Sequence, residues 1–98
     1  MKYYSIICTD APNSLSKRQS LRASHLSRLT ELNQAHRLLL AGPYFERDSD
    51  NYIEGGVMGS LIVAQFSSLQ EATEWAAADP FVTAGIYANV TVHAFKPI

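Results

Sequence analysis

Two residue placements in this 98-residue chain are chemically out of keeping with their surroundings, and both bring ionisable groups where apolar ones belong. The first lies in the stretch from Arg18 to Leu32. Laid on a helix at about 100° per residue, Leu15, Leu21, Leu26, Leu29 and Leu32 form one apolar stripe, the pattern of a helix docked on a core. Arg18, Arg22, His25 and His36 project within the same arc. Burying an unpaired charge costs several kcal/mol, so polar partner groups must lie beneath this helix. The second placement is Asp79. Read as the last turn of a second long helix, it faces the negative end of the dipole, which costs a few tenths to about 1 kcal/mol. It also falls on the inward side, just beyond Trp75 and Ala76. A nearby cation would offset both costs. A competing reading is that Asp79 only caps the turn ahead of Phe81, since Asp-Pro is a common helix-to-turn junction.

A histidine and a carboxylate together make an acid/base centre. Imidazole ordinarily titrates near pH 6.5, so it can take or give a proton at neutrality. A carboxylate on the other ring nitrogen fixes the tautomer and stabilises the imidazolium. Arg18 and Arg22, on the same helix face, suit an anionic substrate group such as a carboxylate or enolate. Ser24 follows the backbone directly before His25 and points about 100° away, so it is no partner for it. His36 sits at the helix end, where a cation favours the dipole, and reads as structural. His93 alternates with Thr91 and Asn89 and reads as a surface or interface residue. Cys8, the one cysteine, reads as a small core residue. With no HxxxH or CxxC spacing, neither a metal nor another cofactor is expected.

Composition narrows the partners. Hydrophobic residues are 47%, charged residues 17%, the formal net charge is −1 and the pI is 6.2. A nucleic-acid-binding domain would show a basic footprint with a pI near or above about 9, so nucleic acid is not expected. The apolar run in Met1 to Asp10 is too short for a signal peptide or a membrane span. One domain over residues 1–98, cytoplasmic and of bacterial type, is expected.

The elements that must position these residues follow from period and punctuation. Residues 2–8 alternate as a strand that Asp10-Ala11-Pro12-Asn13 ends. Ser16 with Gln19 has the spacing of a capping box and predicts a helix to about His36. Leu38-Leu39-Leu40-Ala41 reads as a buried short strand stopped by Gly42-Pro43. Residues 44–57 read as a polar loop, either a hairpin tip or long enough for a binding or lid role. Residues 59–66 make a strand with apolar side chains on both faces. Ser68 and Glu71 begin the second long helix, whose inner face is Leu69, Ala72, Trp75, Ala76 and Asp79, and Pro80 ends it. Phe81 to Ile86 reads as a short turn of helix and residues 89–95 as the last strand.

The resulting order, β-α-β-β-α-β, is the split βαβ arrangement of ferredoxin-like α+β domains, with a four-stranded antiparallel sheet and both helices on one face. The first strand carries Tyr4, Ile6 and Cys8 on one side and Tyr3 and Ile7 on the other. With both faces apolar and one covered, a second copy is expected to cover the other, giving a homodimer.

Several ordered pieces carry a family resemblance. Arg22-Ala23-Ser24-His25-Leu26-Ser27-Arg28-Leu29, Leu40-Ala41-Gly42-Pro43, Gly59-Ser60, and Ala77-Ala78-Asp79-Pro80-Phe81 before Gly85-Ile86-Tyr87 resemble the YciI family of small bacterial proteins. The resemblance runs over nearly the whole chain. It implies a ferredoxin-like fold that is usually dimeric, an α+β barrel related to the muconolactone-isomerase-like barrels. It also implies a His-Asp catalytic pair, falling on His25 and Asp79, with Ser60 beside it as a hydrogen-bond donor or nucleophile. Some branches of the family are associated with dehydrochlorination of lactone-like compounds. The segment from Arg47 to Gly56 varies, so substrate identity does not carry over. Two functions follow from the residues. One is a small lyase, isomerase or hydrolase acting on a small anionic molecule through His25 and Asp79. The other is a non-catalytic anion-binding or accessory domain, in which Arg18, Arg22 and His25 hold the ligand and Asp79 neutralises them.

Overall fold

In the computed structural model, which describes residues 1–98, strand alternation settles which side chains meet the helices. Tyr4, Ile6 and Cys8 of β1 (Lys2–Asp10) are buried on one side. β1 is central and pairs antiparallel with β3 (Val57–Phe66) and β4 (Tyr87–Phe95). β2 (Leu38–Phe45) pairs antiparallel with β3, so the sheet order is β2-β3-β1-β4. The register sets Ile6 opposite Ile62 and Val92, and Tyr4 opposite Ala64 and Ala94, which stacks apolar side chains on one face. Onto that face pack α1 (Leu15–Gln34) through Leu29 and Leu32, and α3 (Leu69–Ala77) through Ala72 and Ala76. This is the ferredoxin-like α+β order that the sequence predicts. No helix is long and apolar enough to cross a membrane.

Several local expectations are corrected. α1 starts at Leu15, not after Ser16, and its N-cap Ser14 makes no side-chain capping bond. Ser14 Oγ instead donates its one hydrogen to the Ala11 carbonyl at 2.5 Å, with the Ile86 carbonyl 3.4 Å away. The hydroxyl is turned back to the Ala11 carbonyl, three residues earlier, and away from the first helical N–H groups. His36 lies beyond the helix, at φ 57°, the left-handed conformation that commonly follows a helix end. α3 does begin as expected, with Ser68 Oγ accepting from the Glu71 N–H at 3.0 Å. Its inner face is narrower than the sequence suggests: Leu69 is 51% exposed and Trp75 half-buried.

β2 is neither short nor buried. It runs through Gly42-Pro43 to Phe45 as an edge strand, with Leu39 and Leu40 44% and 46% exposed. An edge strand tolerates proline because one side of its backbone has no ladder to complete. The β2–β3 connection is also more ordered than a polar loop. It holds α2 (Tyr52–Gly55), where Asn51 Oδ1 accepts from the Ile53 and Glu54 N–H groups at 2.9 and 3.2 Å. Across the sheet from the helices, Ile7, Leu40 and Phe95 are 39%, 46% and 44% exposed. No helix of the chain packs on that face.

Candidate functional site

The middle of α1 supplies His25, which is buried although it is ionisable. Its Nδ1 lies 3.0 and 2.9 Å from the two carboxylate oxygens of Asp79. A carboxylate can only accept, so Nδ1 carries a hydrogen and donates it to Asp79, which leaves Nε2 as the ring nitrogen not engaged by Asp79. Phe81 stacks on the imidazole at 4.1 Å and 6°, and Tyr87 meets it edge-on at 6.4 Å. These contacts fix the plane of the ring.

Asp79 does not end α3, which stops at Ala77. Pro80 drives it out of the helical region, to φ −65° and ψ 135°. It becomes the N-cap of α4 (Pro80–Thr83), with Oδ1 accepting from the Phe81 N–H at 2.9 Å. The unfavourable dipole expected from the sequence is therefore absent, and the capping and pairing readings hold for one carboxylate. Arg28, one turn beyond His25, donates from Nη1 to Asp79 at 3.1 Å and from Nη2 to the Trp75 carbonyl at 2.7 Å. Its guanidinium lies 4.2 Å from the centre of the Trp75 ring. Burial pushes the Asp79 carboxyl up, but the hydrogen bond and charge of His25, the Phe81 N–H and the charge of Arg28 outweigh it and hold the group below its ordinary value.

A second polar cluster adjoins the first. Arg18 donates from Nε and Nη2 to both oxygens of Asp10, at 2.6 and 2.7 Å, and from Nη2 to Ser60 Oγ at 3.0 Å and the Gly59 carbonyl at 3.1 Å. Burial works against its charge, and Asp10 more than reverses that, leaving Arg18 above its ordinary value. Tyr87 donates its hydroxyl to Ser60 Oγ at 2.7 Å. Gly59 lets β1 and β3 close tightly beside Ser60, because any side chain there would collide with the Cys8 carbonyl. Arg22 is exposed and lies 5.5 Å from the centre of the Tyr52 ring, with no ion pair or hydrogen bond to its guanidinium.

Between these groups is a cleft of about 630 Å³, walled by α1, β2, the Asp50 to Ile53 segment, Ser60 and Phe81. Arg18, Arg22, His25 and Ser60 line it, with apolar walls from Leu26, Pro43 and Ile62 among others. Asp79 does not line it and reaches it only through the imidazole.

The YCII-related domain family matches residues 1–96, which takes in both the His25 helix and the Asp79 junction. The chain belongs to this family. A protein of Haemophilus influenzae is 49% identical over 96 residues, covering 98% of each chain. The protein YciI of Escherichia coli is 45% identical over 95 residues, covering 97% of each. Among solved structures, 5-chloro-2-hydroxyhydroquinone dehydrochlorinase from Burkholderia phenoliruptrix, in complex with 2,5-dihydroxybenzoquinone, matches with a TM-score of 0.84 at 26% identity, over 96% of this chain and 93% of that one.

In this YCII-related chain the five residues singled out in the sequence fall in one region, with different tasks. His25 and Asp79 are bonded to each other, Ser60 is bonded to Arg18, and Arg18 is committed to Asp10, so Arg22 is the cleft arginine with its charge unpaired. His36 and His93 are exposed, and the histidines do not gather with carboxylates into a metal-sized cluster. Sequence reasoning missed Asp10, Arg28 and Tyr87. For Arg28 a signal existed: it follows His25 by three residues, on the same side of the helix.

Proposed function

We propose that this chain is a small enzyme that moves a proton on a small anionic organic substrate, with His25 Nε2 as the acid/base atom and Asp79 as the group that orients it. The observation that carries this reading is the His25–Asp79 hydrogen bond behind a cleft-lining imidazole. With Nδ1–H held by Asp79, Nε2 is free to accept a substrate proton, and the carboxylate stabilises the imidazolium that forms. Arg22 meets the negative charge of the substrate from the cleft rim. The dehydrochlorinase neighbour supports the lyase branch of this reading, since loss of HCl needs a base to remove a proton. The alternative of a plain anion-holding domain is weakened by Arg18, whose charge is already matched by Asp10. The reading includes a homodimer in which a second copy covers the sheet face bearing Ile7, Leu40 and Phe95 and completes an α+β barrel.

Hydrogen exchange tests it without knowledge of the product. Enolisable acids and hydroxylated aromatic compounds are incubated in deuterated water with wild-type protein and with His25→Ala, and deuterium uptake or turnover is read by mass spectrometry. Catalysed exchange or turnover by the wild type and not by His25→Ala is expected. Equal activity in the two proteins would remove His25 from the reaction.

A further inference from the structure

Two side chains of one helix share the Asp79 carboxylate. His25 Nδ1 and Arg28 Nη1 both meet its Oδ2, at 2.9 and 3.1 Å, so the two nitrogens are no more than about 6 Å apart. Asp79 is the one carboxylate that Arg28 pairs with. The arginine is held there from two further sides. The Asp79 N–H, which would reach the Trp75 carbonyl if α3 continued, goes to the Ala76 carbonyl at 3.1 Å, and Arg28 Nη2 takes the orphaned Trp75 carbonyl at 2.7 Å. The Trp75 ring supports the guanidinium. This sharing sets the local charge. While the imidazole is neutral, Asp79 and Arg28 balance; a proton on Nε2 makes the buried group a net cation, which burial and a like charge within about 4–6 Å both disfavour. Without Arg28, the same proton would complete a neutral His–Asp ion pair and be held. The other ionisable groups facing His25 do not replace this balance. Arg18 on the same helix is matched by Asp10 of β1. Cys8 of β1 is pushed up to about 12 and Tyr87 of β4 is pushed above its ordinary value, both chiefly by burial, and both stay neutral near pH 7. Arg22 and, across the cleft, Asp50 and Tyr52 are exposed, where water weakens charge interactions.

We propose that Arg28 is a positioning residue that tunes the His25–Asp79 pair: by taking part of the Asp79 charge it weakens the hold of the pair on an added proton, so that His25 can both remove a proton and give it back. The catalytic consequence rests on the proposed acid/base role of His25, whereas the charge division does not. In the reaction Nε2 takes the proton, the electron pair of the broken bond stays on the substrate, and the imidazolium then returns the proton to the product or to water. A histidine kept as a permanent cation by an unshared carboxylate would have no lone pair for the first step.

The test is an NMR titration of histidine-labelled protein, with the exposed His36 and His93 as references in the same spectra. The Arg28 side chain is 21% exposed and lies outside the apolar core, so it can be replaced without opening a core cavity. Arg28→Gln keeps a hydrogen-bond donor and Arg28→Met keeps an apolar stem on Trp75, and circular dichroism establishes that each is folded. In both neutral variants the His25 midpoint should move up by several tenths of a pH unit or more relative to wild type, while His36 and His93 stay in place. Arg28→Lys, which retains the charge, should stay near wild type. A role confined to bracing the end of α3 would lower stability and leave the midpoint where it was. On a compound turned over in the exchange assay, the acid limb of the pH–rate profile should move up in Arg28→Gln together with the midpoint. An unmoved or lowered midpoint in the neutral variants, or an Arg28→Lys midpoint shifted as far as theirs, would overturn the proposal. Turnover that requires His25 beside an unmoved midpoint would remove the tuning by Arg28 and leave the acid/base role standing; a raised midpoint with no turnover of any compound would do the reverse.

Discussion

At Asp79 one carboxylate accepts from three donors on three parts of the chain: His25 Nδ1 and Arg28 Nη1 from two turns of α1, and the Phe81 N–H at the start of α4. The sign of its pH dependence follows. Its carboxyl is held below its ordinary value in the folded protein, so the unfolded chain takes up a proton at higher pH than the folded one. The stability it contributes is present above the unfolded carboxyl pKa of about 3.9 and is lost as pH falls through the lower folded value. Denaturant unfolding at a series of pH values should therefore show an acid-sensitive component below about pH 4 that Asp79→Asn removes. Arg28→Gln should move that component to higher pH, because one cation holding the carboxylate ionised is gone. His25 was legible in the sequence because an ionisable group inside an apolar stripe has no cheap explanation. Asp79 was found for a partly mistaken reason, since Pro80 takes it out of the helix whose dipole made it conspicuous. Arg28 and Tyr87 look ordinary in sequence, as an arginine on a helix flank and a tyrosine in a strand. Their partners lie 51 and 27 residues away and are set by tertiary register.

The two long helices and the central strands were legible because period and burial agree, and the failures gather where they do not. β2 is rich in leucine yet lies on the edge, so a run that reads as buried has one side without a neighbour. In α1, Leu15 and Leu26 belong to the apolar stripe but wall the cleft, at 37% and 38% exposure, instead of filling the core. α3 packs through Ala72 and Ala76 and keeps Trp75 half outside, where the indole lies 5.6 Å from the Phe66 ring and under the Arg28 guanidinium. Trp75→Ala should therefore cost about 2 to 3 kcal/mol, at or below the low end of the range for a fully buried aromatic. Because Arg28 loses the face it rests on, the same change should raise the pH at which the Asp79 contribution disappears. Unfolding of this variant at neutral and acid pH checks both effects.

At the scale of the whole molecule, the sheet divides the chain into a covered face that builds the site and an uncovered face that bears Ile7, Leu40 and Phe95. The homodimer proposed for that second face should bury more than about 1,000 Å² in total. Sedimentation should give twice the monomer mass of 10.8 kDa at micromolar concentration, and Ile7→Lys should shift it toward monomer. A wild-type monomer under those conditions would leave the apolar face without its proposed partner. The site itself is assembled within one chain, from α1, the α3–α4 junction and the β1–β3–β4 strands, so its central claim is tested on the protein as it stands. That claim is that His25 and Asp79 act together as an acid/base pair. The most direct test is kcat of Asp79→Asn against wild type, on a compound turned over in the exchange screen, with circular dichroism to establish that both are folded. The pair predicts a fall of about 10² or more in a folded variant, the usual scale for losing a positioned acid/base group. A folded Asp79→Asn protein with wild-type kcat would contradict it.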